Sequence, residues 1–111
     1  MPSLPKQKES HIVTAILTYL SYEEAKGNLY ALRINAGAII SSNGGFVRLA
    51  RTGVSDIIIF LKGGRTIFIE AKTSKGKMSP GQITFRETIE KLGYAYHVVR
   101  SVDDVINILK K

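Results

Sequence analysis

The chain has 111 residues, of which 44% are hydrophobic, and this composition is typical of one folded domain and excludes an intrinsically disordered chain. It contains no cysteine, which excludes disulfides and thiolate metal sites and is compatible with a reducing, cytoplasmic location. No apolar run reaches the roughly 18 residues of a membrane span, so we expect no membrane partner. The formal net charge of +7 favours a polyanionic partner such as nucleic acid.

The first half of the chain is predicted to form a helix followed by strands. Residues 1–5 hold two prolines and should form an irregular arm of a single domain that spans residues 1–111. Residues 6–22 have the periodicity of a helix, and Glu9 lies on the same face as Ile12 and Ile16. A strand is predicted over residues 29–41, with a break near 35–37, and a short strand over residues 46–50.

The centre of the chain, residues 53–72, has the pattern of a β-hairpin. Two β-rich runs flank the pair Gly63-Gly64, which is a strong turn signal. The run from Ile57 to Leu61 is apolar without interruption, so we expect this strand to be covered on both faces.

The last third predicts helix, strand and helix. Ser79 is a good N-cap, Pro80 suits the first helical position, and Gln82 completes a capping box. A core stripe on this helix is predicted at Phe85, Ile89 and Leu92. A strand over residues 94–99 and a helix capped by Ser101 follow. The element order predicts an α/β fold with a mixed central sheet flanked by helices.

Three ionisable residues stand at the ends of the apolar hairpin strands, namely Asp56, Glu70 and Lys72. Burying such groups is costly unless they are paired or bind an ion. Glu70 and Lys72 are two residues apart and therefore point to one face of the strand. Two carboxylates suit a hard divalent cation such as Mg²⁺, whereas a cross-strand ion pair at a sheet edge would also explain Glu70 and Lys72. Spacing alone leaves both interpretations open.

A metal site formed by Asp56 and Glu70 requires a particular register of the hairpin. A strict two-residue turn at Gly63-Gly64 would place Asp56 opposite Ala71, on the face away from Glu70. We therefore predict either a three-residue loop with a bulge or a bulge near residues 55–56.

The spacing Asp56, thirteen residues, then Glu70-Ala71-Lys72 resembles the core motif of the PD-(D/E)XK nuclease superfamily. Together with the blocks Gly53-Val-Ser-Asp and Ser79-Pro-Gly-Gln, the pattern resembles the virus-type replication-repair nuclease (VRR-NUC) domain over residues 9–105. The resemblance implies a restriction-endonuclease-like fold and metal-dependent cleavage of DNA. It implies that Asp56, Glu70 and the Ala71 carbonyl bind Mg²⁺ or Mn²⁺, and that Lys72 orients or activates the attacking water.

Two further polar residues have both a structural and a catalytic interpretation. Glu9 can satisfy the dipole at the start of a helix, but in the resembling family an acidic residue on this helix contributes to the active site. Gln82 is explained by its capping box, but the family pattern places a glutamine beside the catalytic lysine. Ser55 is expected to hydrogen-bond its own loop and not to act as a nucleophile. His11 and His97 belong to no spaced ligand cluster and are expected to be structural.

Basic residues near the acidic motif are candidates for contacts with the DNA backbone. They are Arg33, Arg48, Arg51, Lys75 and Lys77, with Lys62 and Arg65 in the same half of the chain. The resemblance to stand-alone phage proteins of this size implies a branched substrate such as a four-way junction, cut by a homodimer. The alternative is a non-catalytic basic module that binds nucleic acid and needs no metal.

Overall fold

The computed structural model describes residues 8–34, 38–40, 46–48 and 53–110, with backbone only at 38–40 and 46–48. The predicted arm at residues 1–5 and the candidate Arg51 lie outside the described residues. The described elements follow in the order α1 (Glu9–Ala25), β1 (Leu29–Arg33), β2 (Ala38–Ile40), β3 (Phe46–Arg48), β4 (Ile57–Leu61), β5 (Thr66–Ala71), α2 (Pro80–Lys91), β6 (Ala95–Val99) and α3 (Val102–Leu109).

Four strands form a mixed sheet in the order β1-β4-β5-β6. The pairs β1–β4 and β4–β5 are antiparallel, whereas β5 and β6 run parallel and are joined through α2. Strands β2 and β3 pair separately as an antiparallel ribbon. This arrangement confirms the predicted α/β fold with a mixed central sheet flanked by helices.

One face of the sheet carries the hydrophobic core beneath α1 and α3. Alternate residues of β4 and β5 point to this face and are fully buried against Ile16 and Leu20 of α1. These strand residues are Ile57, Ile59, Ile67 and Ile69. Burial of each such side chain contributes about 1.5–3 kcal/mol, so the strand alternation and the helical stripe together hold the fold.

The other face of the sheet is covered only in part. Phe68 and Tyr96 meet Phe85 of α2 in edge-to-face ring contacts with centroids 5.8 and 6.1 Å apart. Over β4, Phe60 remains 46% exposed. The prediction that β4 is buried on both faces is therefore wrong. Strand β5 is instead buried on both faces, because it lies between β4 and β6 and beneath helices on either side.

The predicted core stripe of α2 is also wrong in part. Phe85 and Ile89 are only half-buried and Leu92 is exposed, because α2 ends at Lys91 and packs chiefly against the edge strand β6. No helix among the described residues is long and apolar enough to cross a membrane.

The hairpin between β4 and β5 has a three-residue loop, which is one of the two arrangements predicted. Ile57 pairs with Ile69, and the Leu61 N–H donates to the Arg65 carbonyl at 2.7 Å. The Leu61 carbonyl accepts from the Gly64 N–H at 3.1 Å, so two residues oppose one, as in a bulge. Gly63 and Gly64 both have positive φ, which glycine adopts without strain. This register places the residue before Ile57 level with Glu70.

Candidate metal centre

Three carboxylates converge at one end of the central sheet. Glu9 comes from the first turn of α1, Asp56 directly precedes β4, and Glu70 lies near the end of β5. One oxygen of each lies within 4.8 Å of an oxygen of the other two. The fold therefore brings together residues that are far apart in the chain, and it adds Glu9 to the pair that the hairpin supplies.

Asp56 is fixed by the backbone of the neighbouring strand. Its Oδ2 accepts a hydrogen bond of 2.9 Å from the Ala71 N–H, and its own carbonyl accepts from the Ile34 N–H at 2.8 Å. The Ser55 hydroxyl is buried and donates to the Ile57 carbonyl at 3.3 Å, which agrees with its predicted structural role. The loop before β4 is thus anchored on both sides, and it holds the Asp56 carboxylate in place.

Glu70 is the buried member of the cluster, with 1% of its surface exposed. Its Oε2 accepts a hydrogen bond of 3.2 Å from Gln82 Nε2, while its Oε1 has no hydrogen-bond partner among the described residues. Burial and, after it, the neighbouring Asp56 carboxylate together raise the pKa of Glu70 to about 8, while Lys72 acts in the opposite direction. In the absence of a cation, this carboxyl therefore holds its proton near neutral pH.

Lys72 places its ammonium between two members of the cluster. Nζ lies 3.8 Å from Glu70 Oε2 and 3.9 Å from Glu9 Oε1, and the residue is 8% exposed. Its backbone N–H donates to the Val99 carbonyl at 2.9 Å, which extends the pairing of β5 with β6. Glu70 and Lys72 are close enough to form an ion pair when Glu70 is ionised, but Glu70 lies on the buried inner strand β5 and not at a sheet edge.

Gln82 makes the predicted capping box and also contacts the carboxylate cluster, while its catalytic role stays a prediction. Its Oε1 accepts from the Ser79 N–H at 2.9 Å and its own N–H donates to Ser79 Oγ at 3.2 Å, which completes the capping box. The amide nitrogen at the other side of the same group donates to Glu70. Capping α2 and contacting the cluster are therefore one arrangement.

The cluster fits a divalent cation of the hard class. Carboxylate oxygens are the ligands that Mg²⁺ and Mn²⁺ prefer. Among the described residues, one ammonium, that of Lys72, lies within ion-pair distance of the cluster, at Glu9 and Glu70. The unpartnered Glu70 Oε1 is the kind of buried acceptor that a cation would satisfy. Participation of the Ala71 carbonyl stays a prediction.

The predicted DNA-binding residues fall into two groups. Arg33 is exposed at the end of β1, beside the Asp56 loop, and Lys75 and Lys77 are exposed in the segment between Lys72 and α2. The Arg48 side chain and Arg51 lie outside the described residues.

The expectation that basic residues surround the carboxylates is wrong for Lys62 and Arg65. Lys62 lies in the hairpin loop and Arg65 directly follows it, at the opposite end of β4 and β5 from Asp56 and Glu70.

Tyr96 was not anticipated as a neighbour of the site. It is buried, and its pKa is raised by burial and by the Glu70 and Asp56 carboxylates. The sequence showed only that Tyr94 and Tyr96 lie on the same face of a strand. Tyr96 lies near the carboxylate cluster because β6 pairs in parallel with β5, with Tyr96 opposite Phe68.

The mixed sheet flanked by helices agrees with a restriction-endonuclease-like fold. A solved structure described as a VRR_NUC domain has this fold, with a TM-score of 0.62 and 24% sequence identity over 87% of this chain and 92% of that one. The chain has the fold of a VRR-NUC domain, which confirms at the level of fold the resemblance seen in the sequence. No protein-family model and no curated protein matches the sequence.

Proposed function

We propose that this protein is a divalent-metal-dependent nuclease that hydrolyses phosphodiester bonds in DNA. The observation that carries the proposal is the convergence of Glu9, Asp56 and Glu70 within 4.8 Å, with Lys72 beside them. The similarity in fold to a VRR_NUC domain supports the same class of activity. The absence of cysteine suits a cytoplasmic enzyme.

In this proposal the three carboxylates and the Ala71 carbonyl hold Mg²⁺ or Mn²⁺. The ion supplies Lewis-acid stabilisation of charge on the phosphate and lowers the pKa of water. Lys72 donates hydrogen bonds that orient the attacking water or stabilise the developing negative charge. Gln82 keeps the Glu70 carboxylate directed into the site through its 3.2 Å hydrogen bond.

The substrate we propose is branched DNA, such as a four-way junction. Arg33, Lys75 and Lys77 are exposed cations next to the cluster, and they suit contacts with the phosphate backbone and not with base edges. A branched molecule presents two strands for cleavage, so two copies of this small domain would act together as a homodimer.

The test is cleavage of labelled four-way junction, flap and linear duplex, each with Mg²⁺, Mn²⁺ or EDTA. We expect metal-dependent cutting of the branched forms that is lost in Glu70→Ala and Lys72→Ala, while binding stays within about threefold because neither residue lies in the exposed basic surface. The matched control is Glu90→Ala, which removes an exposed carboxylate paired only with Arg86 on α2.

Cleavage by Lys72→Ala at the original rate would refute the mechanism. Tight, salt-sensitive binding without cutting under any metal would show that the chain is a nucleic-acid-binding module. Sedimentation of the protein with a four-way junction tests the dimer, since a single copy on each junction contradicts it.

A further inference from the structure

The segment between β5 and α2 is attached to the carboxylate cluster at both ends. It begins after Lys72, whose ammonium meets Glu9 and Glu70, and it ends at the capped start of α2, where Gln82 contacts Glu70. Residues 73–78 contain Lys75 and Lys77, both exposed, and no acidic residue. A polyanion bound at the cluster would therefore lie close to this segment.

Residues 73–76 form a compact turn. The Gly76 N–H donates to the Thr73 carbonyl at 3.0 Å. A Cβ at Gly76 would lie 3.1 Å from Thr73 Oγ1 and 3.3 Å from its nitrogen, so the chain folds closely back on itself. The turn belongs to no helix or strand, and its conformation must be held by other contacts.

Arg100 makes such contacts from the other side of the parallel strand pair. Its Nη1 donates to the Thr73 carbonyl and, at 3.0 Å, to the Gly76 carbonyl. Val99 pairs with Ala71, which sets Arg100 beside the start of the turn. The Arg100 N–H donates to Asp104 Oδ2 at 2.8 Å, so its backbone is fixed at the start of α3.

We propose that Arg100 is a positioning residue that holds the turn at residues 73–76 so that Lys75 contacts the phosphate backbone of bound DNA. This inference rests on the proposed function for the identity of the ligand. The planar guanidinium presents several N–H donors in a fixed arrangement, so one side chain can bridge the carbonyl groups at the two ends of the turn. Holding the turn in advance reduces the ordering that DNA binding must otherwise impose.

The first test measures the turn without DNA. Trypsin cleaves after lysine, and the peptide bonds after the exposed Lys75 and Lys77 fit the protease only when the turn opens and the backbone extends. We expect Arg100→Gln to speed cleavage after these two lysines by about tenfold, because charge-assisted hydrogen bonds close the turn. The control is Arg86→Gln, which removes an exposed arginine paired with Glu90 and should leave this rate unchanged. An unchanged rate in Arg100→Gln, with the fold verified by circular dichroism, overturns the proposal.

The second test measures the salt dependence of duplex binding in EDTA, so that cleavage plays no part. The plot of log K against log salt concentration has a negative slope, and the loss of one phosphate contact reduces the magnitude of this slope by about one unit. We expect this decrease in Lys75→Ala, in Arg100→Gln and in the double variant alike, because both changes remove the same contact. A decrease of about two units in the double variant shows that Arg100 binds phosphate itself and overturns the positioning role.

An unchanged slope in Lys75→Ala likewise overturns the contact with DNA. If the unaltered protein binds no DNA at all, the proposed function fails and the phosphate contact with it. If it binds DNA as expected but cuts none, only the nuclease proposal fails. The trypsin result is independent of both.

Discussion

Both the oxygen and the nitrogen of the Gln82 side-chain amide make hydrogen bonds. The oxygen caps α2 at Ser79, and the nitrogen donates to Glu70. A change at this residue therefore alters the helix and the cluster together, whereas a change at Ser79 removes a capping hydroxyl alone. The two residues form a matched pair that separates the structural from the functional contribution.

We predict that Ser79→Ala lowers the free energy of unfolding by about 1 kcal/mol and leaves cleavage within about twofold. Gln82→Ala should destabilise the helix by a similar amount but reduce cleavage by about tenfold or more, because Glu70 Oε2 loses its donor. Urea denaturation and single-turnover cleavage measure the two effects. Equal losses of activity in both variants would mean that Gln82 matters only as a cap.

At Glu70, the raised pKa links stability to pH in the metal-free protein. Its pKa is about 8 in the folded state against an ordinary value of 4.5. Between these values the unfolded chain releases the proton and the folded chain retains it, so the free energy of unfolding falls as pH rises. Each unit of difference between the folded and unfolded pKa corresponds to about 1.4 kcal/mol in the free energy of unfolding.

We predict that the melting temperature of the metal-free protein falls more steeply between pH 5 and pH 8 than that of Glu70→Gln. The glutamine stays neutral, and the variant keeps every other titrating group as a control. Thermal melts in EDTA at a series of pH values give the comparison. Parallel curves for the two proteins would contradict the raised pKa.

Among the elements, the loop before β4 packs directly on the first turn of α2. Gly53 has a φ of +87°, and a Cβ there would lie 2.3 Å from the Gly81 carbonyl oxygen. This close approach brings the loop that carries Asp56 against the helix that carries Gln82. Gly63 also has a positive φ, of +95°, but a Cβ there would meet no atom within 4 Å. The two glycines therefore share a conformation and differ in their surroundings.

We predict that Gly63→Ala lowers the free energy of unfolding by about 1–2 kcal/mol, the cost of placing a side chain in the left-handed region. Gly53→Ala should lower it by about 1–3 kcal/mol more, because the backbone of α2 must move away. The same movement separates Gln82 from Glu70, so we expect cleavage to fall in Gly53→Ala only. Comparable stability and activity in the two variants would refute this packing role.

In the whole molecule, the carboxylate cluster connects α1, the loop before β4 and β5. A cation bound there would hold three segments of the fold together and satisfy the buried Glu70 Oε1. Binding to the folded state alone adds about 2.7 kcal/mol to the free energy of unfolding at a ligand concentration one hundred times Kd. Stability is thus a readout of metal binding that does not require a substrate.

We predict that Mn²⁺ or Mg²⁺ raises the melting temperature in a saturable manner, and that Asp56→Asn and Glu70→Gln abolish the increase. Glu90→Gln should preserve it, because this exposed carboxylate lies on α2 outside the cluster. Differential scanning calorimetry across a metal titration measures the effect. An equal increase in all of these variants would place the bound metal elsewhere.

Local features of the molecule could be read from the sequence. The capping box of Ser79 and Gln82 and the three-residue hairpin loop involve residues close together in the chain, and both agree with the prediction. A metal site required Asp56 and Glu70 on one face, which predicted either this loop or a bulge near residues 55–56, and the structure has the loop. The mixed sheet followed from the element order and from the family resemblance.

Other features depended on contacts between distant segments. Burial of β5 on both faces depends on which strands flank it. The apolar run in β4 wrongly predicted that β4 would be buried in this way. Glu9 joins the cluster because α1 packs across the sheet, and Arg100 reaches the turn because β6 pairs in parallel with β5. The sequence by itself determined the elements, the caps and the motif, because hydrogen bonds and periodicity act over a few residues. Only the tertiary structure decided which side chains meet, because packing between segments sets the strand order and register.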